Sequence, residues 1–323
     1  MHKLRKSLLP LGILTLGFAG YLALGQYTLP EGPGKDLVLA KCQTCHDIGF
    51  VARERLSRER WNAIIDEMVT RGLQITPEVS PEDFFAKEAL LAYAQPVMAL
   101  MEQVIAQAKV DLIGERAIVR KRESNLGNLI ADGMVWKTRN VGVRIALQNG
   151  GGIRTTIPKG PITVGKVYEV LPFGNTLVVM DLKGREIKAA LENGVSQWEQ
   201  AAGRFLQVSG LRYAFDLSRA PGDRVVRVEV KTEKGYVPLD LEATYRVVVN
   251  NFIANGGDGF TVLKEAQGYR VDTGFSDAES FMDYLKELRE VEAGLEGRIE
   301  VLNEPKGEKP AYWAYRVPEW VGV

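Results

Sequence analysis

The chain has 323 residues, enough for about two domains, and 46% apolar with 25% charged residues is typical of a globular protein. Lysine and arginine together number 41, as do aspartate and glutamate, so the formal net charge is zero. This balance provides no overall field for a nucleic-acid polymer, and any recognition of anions must depend on local groups.

The N-terminal segment has the layout of an export signal. Lys3, Arg5 and Lys6 precede an apolar run over residues 8–25. A helix of that length reaches only about 27 Å, so cleavage as a signal peptide and retention as a membrane anchor are both open for residues 1–26. We expect the rest of the chain in the periplasm, or anchored to the outer face of the cytoplasmic membrane.

A short motif for a cofactor follows the export signal. Residues 27–35 have a linker composition, and the next segment contains Cys42-Gln-Thr-Cys45-His46 with the two cysteines of the chain. Each thiol can add to a haem vinyl group, and the adjacent imidazole becomes the axial iron ligand. A disulfide or a thioredoxin-like redox pair is the alternative, but neither needs the histidine. The motif therefore predicts covalent haem c.

With this motif, residues 36–95 resemble a single-haem cytochrome c domain, which implies an all-α fold. Apolar residues at helical spacing over residues 57–68 agree with that fold. The resemblance makes Met68 the candidate for the second axial ligand of the haem iron, in competition with Met98 and Met101. A redox partner protein would be implied as well.

Beyond residue 97 the pattern changes to alternating helices and strands. We predict a linker helix over residues 97–108 and an α/β or α+β domain after it. The predicted helices cover residues 126–136 and 185–198, and the predicted strands cover residues 144–148, 176–181, 210–215, 224–230 and 245–250.

The most unusual segment covers residues 251–260, which directly follow the last of these strands. Its three glycines, Gly256, Gly257 and Gly259, allow a tight turn and a close approach of the backbone to a ligand. Asp258 lies between two of them. A turn capped by an aspartate side chain is the alternative to a binding loop.

Six motifs, in order along the chain, resemble the C-terminal domain of the 5′-nucleotidase family. They are residues 123–128, 149–154, 171–174, 205–210, 216–225 and 251–260. The resemblance covers residues 97–302. Residues 303–323 follow as a tail rich in aromatic residues, which would dock on the domain or bind a partner.

The resemblance implies a nucleobase site. Phe173 and Phe252 match the two aromatic residues that stack on the base, and Asn149 matches an amide that contacts it. Base stacking on an aromatic ring contributes about 1–3 kcal/mol per base. Taken singly, each phenylalanine would more commonly be a core residue.

The same resemblance implies contacts to the rest of a nucleotide. Arg120 and Arg154 match arginines near the ribose and the phosphates, and Asp258 matches a carboxylate that binds the ribose hydroxyls. Bidentate contacts from guanidinium groups suit phosphate oxygens, and a carboxylate can accept hydrogen bonds from two hydroxyls.

The chain departs from the family in one respect, because 5′-nucleotidases bind two metals in a separate N-terminal metallophosphatase domain. A dinuclear site needs several histidine and aspartate ligands, and this chain has two histidines, His2 and His46. We therefore expect no dinuclear metal site and leave enzymatic activity open. In one hypothesis the chain is the nucleotide-recognition half of a split phosphoesterase. In the alternative it is an electron-transfer protein with a docking or ligand-sensing module.

Overall fold

The structure, a computed structural model, describes Ala63 and residues 97–305, which all belong to one compact unit. The predicted haem ligands Cys42, Cys45, His46 and Met68 lie outside the described residues. So do the export signal and residues 306–323 of the aromatic tail.

The described part of the chain combines strands with short and medium helices. Its strands are β1 (Val104–Ala108), β2 (Ile145–Asn149), β3 (Gly160–Thr163), β4 (Thr176–Lys183), β5 (Leu206–Ser209), β6 (Leu211–Asp216), β7 (Val225–Thr232), β8 (Gly235–Pro238), β9 (Thr244–Asn250), β10 (Arg270–Ser276), β11 (Glu290–Val291) and β12 (Ile299–Leu302). Its α-helices are α1 (Arg116–Val119), α2 (Asn125–Thr138), α3 (Val164–Val170), α4 (Gly184–Val195), α5 (Asn251–Ala254), α6 (Thr261–Glu265) and α7 (Asp277–Leu288). None of the helices in residues 97–305 is long and apolar enough to span a bilayer.

A mixed five-stranded sheet with the order β10-β4-β9-β2-β5 forms the centre of the fold. β2 and β9 are parallel, whereas β4 and β5 run antiparallel to their neighbours. Two smaller sheets accompany it, a three-stranded sheet with the order β11-β1-β3 and a four-stranded sheet with the order β12-β6-β7-β8. This arrangement confirms the α/β class predicted for the C-terminal part.

Apolar side chains cover both faces of the central sheet. Along β9, Val248 packs into one core cluster, whereas Val247 and Val249 pack into the other. The first cluster lies against α2, α3 and α7, and the second lies against α4 and the four-stranded sheet. A strand buried on both faces has a continuous apolar run rather than an alternating pattern, as β9 does.

Local signals account for the helix starts. The Ser124 hydroxyl accepts a hydrogen bond from the Gly127 N–H at 3.2 Å and caps α2. The Asn250 side chain accepts one from the Ile253 N–H at 3.1 Å and caps α5 directly after β9. The helices predicted over residues 126–136 and 185–198 are confirmed as α2 and α4, although α4 ends at Val195.

The predicted linker helix over residues 97–108 is wrong in its second half. Residues 97–101 are helical, but β1 begins at Val104. β1 pairs antiparallel with β3 and parallel with β11, where Ala108 lies opposite Val291. These partners are distant in sequence, so the local apolar pattern did not indicate them.

Candidate functional site

One edge of the central sheet gathers the ends of four strands. Asn149 ends β2 and lies opposite Leu206, the first residue of β5. Asn250 ends β9 and lies opposite Leu177, near the start of β4. The segments that follow β2 and β9 and those that precede β4 and β5 therefore meet at this edge, which we call the ligand edge.

Two phenylalanines project from the ligand edge with much of their surface exposed. Phe173 precedes β4 and is 57% exposed, and Phe252 on α5 is 44% exposed. The Phe252 ring lies against Gly257, where an added Cβ would be 2.5 Å from a ring carbon. Large aromatic rings are usually buried, so two exposed ones at one sheet edge offer an unfilled apolar surface.

Arg154 lies beside the first of these rings. Its guanidinium carbon is 5.6 Å from the centroid of the Phe173 ring, within the range of a cation–π interaction. Its Nη1 also donates a long hydrogen bond of 3.4 Å to the Gly151 carbonyl. The Arg154 backbone N–H donates to the Val170 carbonyl at 3.0 Å, which holds the segment after β2 against α3.

Arg120 follows α1 and is buried, with 9% of its surface exposed. Its Nη1 donates a 3.5 Å hydrogen bond to the Ala201 carbonyl, and its buried Nε has no hydrogen-bond partner among the described residues. Burial lowers the pKa of the Arg120 guanidinium; the positive charges of Arg116 and Arg154 lower it further, and the Asp258 carboxylate opposes them. A buried guanidinium with so few partners is costly unless an anion binds to it.

Asp258 lies near Arg120 and contacts Asn149, the last residue of β2. It has a left-handed backbone with φ 55° and ψ 23°, which aspartate tolerates better than most residues. Within residues 97–305, its carboxylate accepts one hydrogen bond, from Asn149 Nδ2 at 3.4 Å. The Asn149 carbonyl oxygen Oδ1 in turn accepts from Asn250 Nδ2 at 2.7 Å.

The structure therefore brings the six residues predicted for a substrate site to one edge: Arg120, Asn149, Arg154, Phe173, Phe252 and Asp258. It adds residues that the sequence analysis did not select. Asn250 orients Asn149, and Asn193 Nδ2 donates to the Asp258 carbonyl at 3.2 Å. Asn250 had a signal in the sequence, because a polar residue ended an apolar strand just before the predicted binding loop. Asn193, within α4, had none.

The arrangement suits an anionic ligand with a flat apolar part. Two exposed rings, two arginines and one carboxylate with a free acceptor surface lie on neighbouring loops of one sheet edge. Within residues 97–305 no group of three or more histidine, cysteine, aspartate or glutamate side chains is arranged to hold a metal ion.

Comparison with known proteins identifies the family. The family model of the 5′-nucleotidase C-terminal domain matches residues 104–265, half of the chain. The chain belongs to the 5′-nucleotidase C-terminal domain family. The resemblance seen in the six motifs is thereby confirmed.

Two curated relatives show how much of a longer protein this match covers. The chain is 44% identical over 239 residues to the trifunctional nucleotide phosphoesterase protein YfkN of Bacillus subtilis, covering 73% of this chain and 16% of that protein. It is 36% identical over 237 residues to human 5′-nucleotidase, covering 68% of this chain and 40% of the human protein. The chain thus spans less than half of either relative.

A solved structure is similar in sequence and fold. The 5′-nucleotidase precursor from Thermus thermophilus has a TM-score of 0.66 and 89% identity, over 72% of this chain and 46% of that one. The relatives also include a snake venom 5′-nucleotidase from Macrovipera lebetinus, 35% identical over 69% of this chain and 58% of the venom protein. A precursor and a venom protein are consistent with export of the family.

Proposed function

We propose that the ligand edge binds a nucleotide and that the chain acts in nucleotide catabolism as the recognition half of a 5′-nucleotidase. The observation that carries this proposal is Arg120, whose buried guanidinium has, within the described part of the chain, one long hydrogen bond and an Nε without a partner. A phosphate oxygen would supply the missing acceptor. Arg154 would contact the same anion, because it is near enough to Arg120 for its positive charge to lower the pKa of the Arg120 guanidinium.

The other groups of the edge fit the remaining parts of a nucleotide. The exposed rings of Phe173 and Phe252 would stack on the base, with Asn149 contacting its polar edge. The Asp258 carboxylate would accept hydrogen bonds from the ribose hydroxyls, since its one hydrogen bond from the described residues leaves acceptor positions free. The proposed ligand is therefore a nucleotide, and a purine nucleoside monophosphate is the probe for the first test.

Calorimetric titration of the purified full chain with AMP and with adenosine tests this proposal. AMP should bind measurably, and Arg154→Ala should weaken AMP by about 1.5–3 kcal/mol, the contribution of a hydrogen bond to a charged group. Adenosine, which has no phosphate, should bind the variant and the parent about equally. Equal losses for the two ligands would place the phosphate elsewhere, and absence of AMP binding to the parent would contradict the proposal.

For hydrolysis, we propose that a separate metallophosphatase chain supplies the metals. The basis is the histidine content of the sequence, since a dinuclear phosphoesterase needs several histidine and aspartate ligands. The isolated chain should not hydrolyse AMP with added divalent metal, and mixing it with such a partner should restore turnover. Turnover by the pure chain, with contaminating phosphatases excluded, would contradict this part of the proposal.

We further propose that the exported chain carries covalent haem on Cys42 and Cys45, with His46 and Met68 as axial ligands. The Cys42-Gln-Thr-Cys45-His46 motif and the export signal support this assignment. Bound haem would supply one-electron transfer to a redox partner. The colour should stay with the protein through acid–acetone extraction, and Met68→Ala should remove the near-infrared band of methionine-ligated iron. Complete loss of colour on extraction would contradict covalent attachment, and an unchanged band would move the ligand to Met98 or Met101.

A further inference from the structure

A cavity of about 390 Å³ lies between two loops of the domain, the loop that follows β1 and the loop that follows β11. Val110, Ile113 and Ile118 line it from the first loop and α1, and Ala293 and Leu295 line it from the second, so its surface is mainly apolar. Its volume falls within the range of about 300–1,000 Å³ that is usual for ligand pockets. None of the six residues of the ligand edge contributes to it.

The polar side chains at this cavity are engaged within the fold. Asn125 Nδ2 donates to the Asp111 carbonyl at 2.8 Å and to the Ala293 carbonyl at 3.0 Å, and its Oδ1 accepts from the Ile113 N–H at 2.7 Å. One side chain thus ties the two loops together. The Glu123 carboxylate accepts hydrogen bonds of 2.6, 2.7 and 2.9 Å. Because these groups are satisfied, the cavity suits an apolar occupant better than one that needs hydrogen bonds.

The last described residues of the chain are fixed close to this cavity. Asn303 has a left-handed backbone with φ 54°, and its Nδ2 donates to Asp216 Oδ1 at 2.8 Å, so the chain turns sharply after β12. Glu304 then pairs with Arg122 through both carboxylate oxygens, and the two side chains are largely buried. Arg122 directly precedes Glu123, which lines the cavity. The segment that follows Pro305 therefore starts beside the cavity.

This following segment has the composition of an apolar occupant. Residues 306–323 include the run Tyr312-Trp313-Ala314-Tyr315, and a row of aromatic rings is unfavourable to leave exposed to water. The residues that lead to this run, 306–311, contain two lysines and one glutamate. The lining of the cavity, in contrast, includes the acidic residues Asp111, Glu123 and Glu292. The charges of the two partners are thus complementary.

The segment is also long enough to reach the cavity. Eight residues lead from Pro305 to Trp313, and an extended chain of that length spans about 26 Å. The distance to be covered is that of one arginine side chain and one backbone step, from Glu304 past Arg122 to Glu123. Because its start is fixed, the segment meets the cavity at the high effective concentration of a short tether.

We propose that the cavity between the loops after β1 and β11 is the binding site for the aromatic run of residues 312–315 of the same chain. The ion pair of Glu304 with Arg122 directs the segment to the cavity, and the aromatic rings fill its apolar interior. The bound segment holds the two loops together from outside, as Asn125 does from within. The nucleotide site at the ligand edge stays open.

Hydroxyl-radical footprinting of the full chain, read residue by residue by mass spectrometry, tests this proposal. Trp313 should be oxidised at least about ten-fold more slowly in the chain than in a synthetic peptide of residues 306–323 under the same conditions. Ala293→Glu places a charge inside the cavity and should abolish this protection. Ala220→Glu is the matched control, because Ala220 lies in an exposed turn, and it should keep the protection.

A second variant probes the same contact from the other partner. Replacing Tyr312, Trp313 and Tyr315 together by serine should leave AMP binding as in the parent and make Leu295 in the cavity more readily oxidised. If Ala293→Glu melts too low for footprinting, Ala293→Phe replaces it, since an apolar ring fills the cavity without a buried charge and should also expose Trp313.

Several results would overturn the proposal. Oxidation of Trp313 at the rate of the free peptide would show that the run is not bound. Protection that survives both Ala293 variants would place the run elsewhere on the domain, and protection lost on adding AMP would place it on the rings of the ligand edge. Protection that fades on dilution would assign the cavity to a second copy of the chain. Nucleotide binding by the parent is measured separately and is unaffected by these outcomes.

Discussion

Two buried arginines of this domain differ in the number of hydrogen-bond partners that surround their guanidinium groups. Arg298 is 6% exposed and binds both carboxylate oxygens of Asp132, at 2.7 and 2.8 Å. It also donates to the Val208 carbonyl at 2.9 Å and to Glu296 at 2.9 Å. Arg120 is 9% exposed, yet within residues 97–305 it has one 3.5 Å side-chain hydrogen bond and a buried Nε without a partner.

The pKa directions of the two guanidiniums express the same difference. Burial alone would lower the pKa of Arg298, but the hydrogen bonds with Asp132 and the charge of Glu296 raise it above its ordinary value. The pKa of Arg120 is lowered by burial and by two neighbouring arginines. A buried charge with a full set of partners joins elements of the fold, here α2, β5 and β12. A buried charge that lacks such partners, as Arg120 does within the described residues, is explained most simply by a bound ligand that supplies them.

The largest expected effect is on stability, at Arg298. Arg298→Met removes the charged partner of the Asp132 carboxylate and leaves it the hydrogen bond from the Ser209 hydroxyl, so the free energy of unfolding should fall by about 3 kcal/mol or more. Arg227→Met is the control, because Arg227 forms an exposed ion pair with Glu300 and should cost less than about 1 kcal/mol. Urea unfolding of the full chain measures both. Equal losses in the two variants would remove the distinction between a structural arginine and a surface one.

A smaller effect is expected at a buried carboxyl beside the ligand edge. The Asp277 N–H donates at 2.8 Å to the carbonyl of Asn175, which lies two residues after Phe173. Burial raises the pKa of the Asp277 carboxyl to about 7, although hydrogen bonds from Ala278 and Asn175 act in the other direction. Because the unfolded value is about 3.9, the folded state holds this proton more strongly, and the group removes stability as pH rises from about 4 to about 7.

Asp277→Asn should therefore stabilise the protein at pH 8 by about 2–4 kcal/mol, since it removes the cost of a buried charge and keeps an acceptor for the Ala278 N–H. The gain should shrink as pH falls through about 7 and approach zero below about pH 3, where the parent carboxyl is protonated in both states. Urea unfolding across this pH range measures the difference. A gain that does not change with pH would show that the ionisation of Asp277 is not the cause.

The smallest expected effect concerns an aromatic ring of the ligand edge. Phe252→Ala should weaken AMP by about 1–3 kcal/mol, the contribution of one stacked ring, with little change in melting temperature because the ring is 44% exposed. Phe275→Ala is the matched control, since Phe275 is 45% exposed and lies on β10 over Lys137. It should bind AMP as the parent does. A large fall in the melting temperature of Phe252→Ala without a loss of AMP would make that ring part of the core.

The sequence predicted most of this domain because its signals were local or carried by ordered motifs. The apolar run of β9 and the glycines around Asp258 each indicate their structure within a few residues. Phe173 and Phe252 could be selected over other phenylalanines only through the motif resemblance, since composition alone would place them in the core.

What the sequence could not predict depended on partners far along the chain. β1 was expected to be helical, and its strand pairing with β3 and β11 is visible only once the chain is folded. The shortage of partners at Arg120 within the described residues is likewise a property of the packed site and not of its neighbours in sequence.

The most direct test of the central claim is a paired measurement on Arg120→Met, by AMP titration and by thermal unfolding. If Arg120 is reserved for a ligand, the variant should lose at least about ten-fold in AMP affinity and keep or raise the melting temperature of the parent, because a poorly partnered buried charge has been removed. A variant that melts many degrees lower, as expected for Arg298→Met, and binds AMP like the parent would contradict the claim.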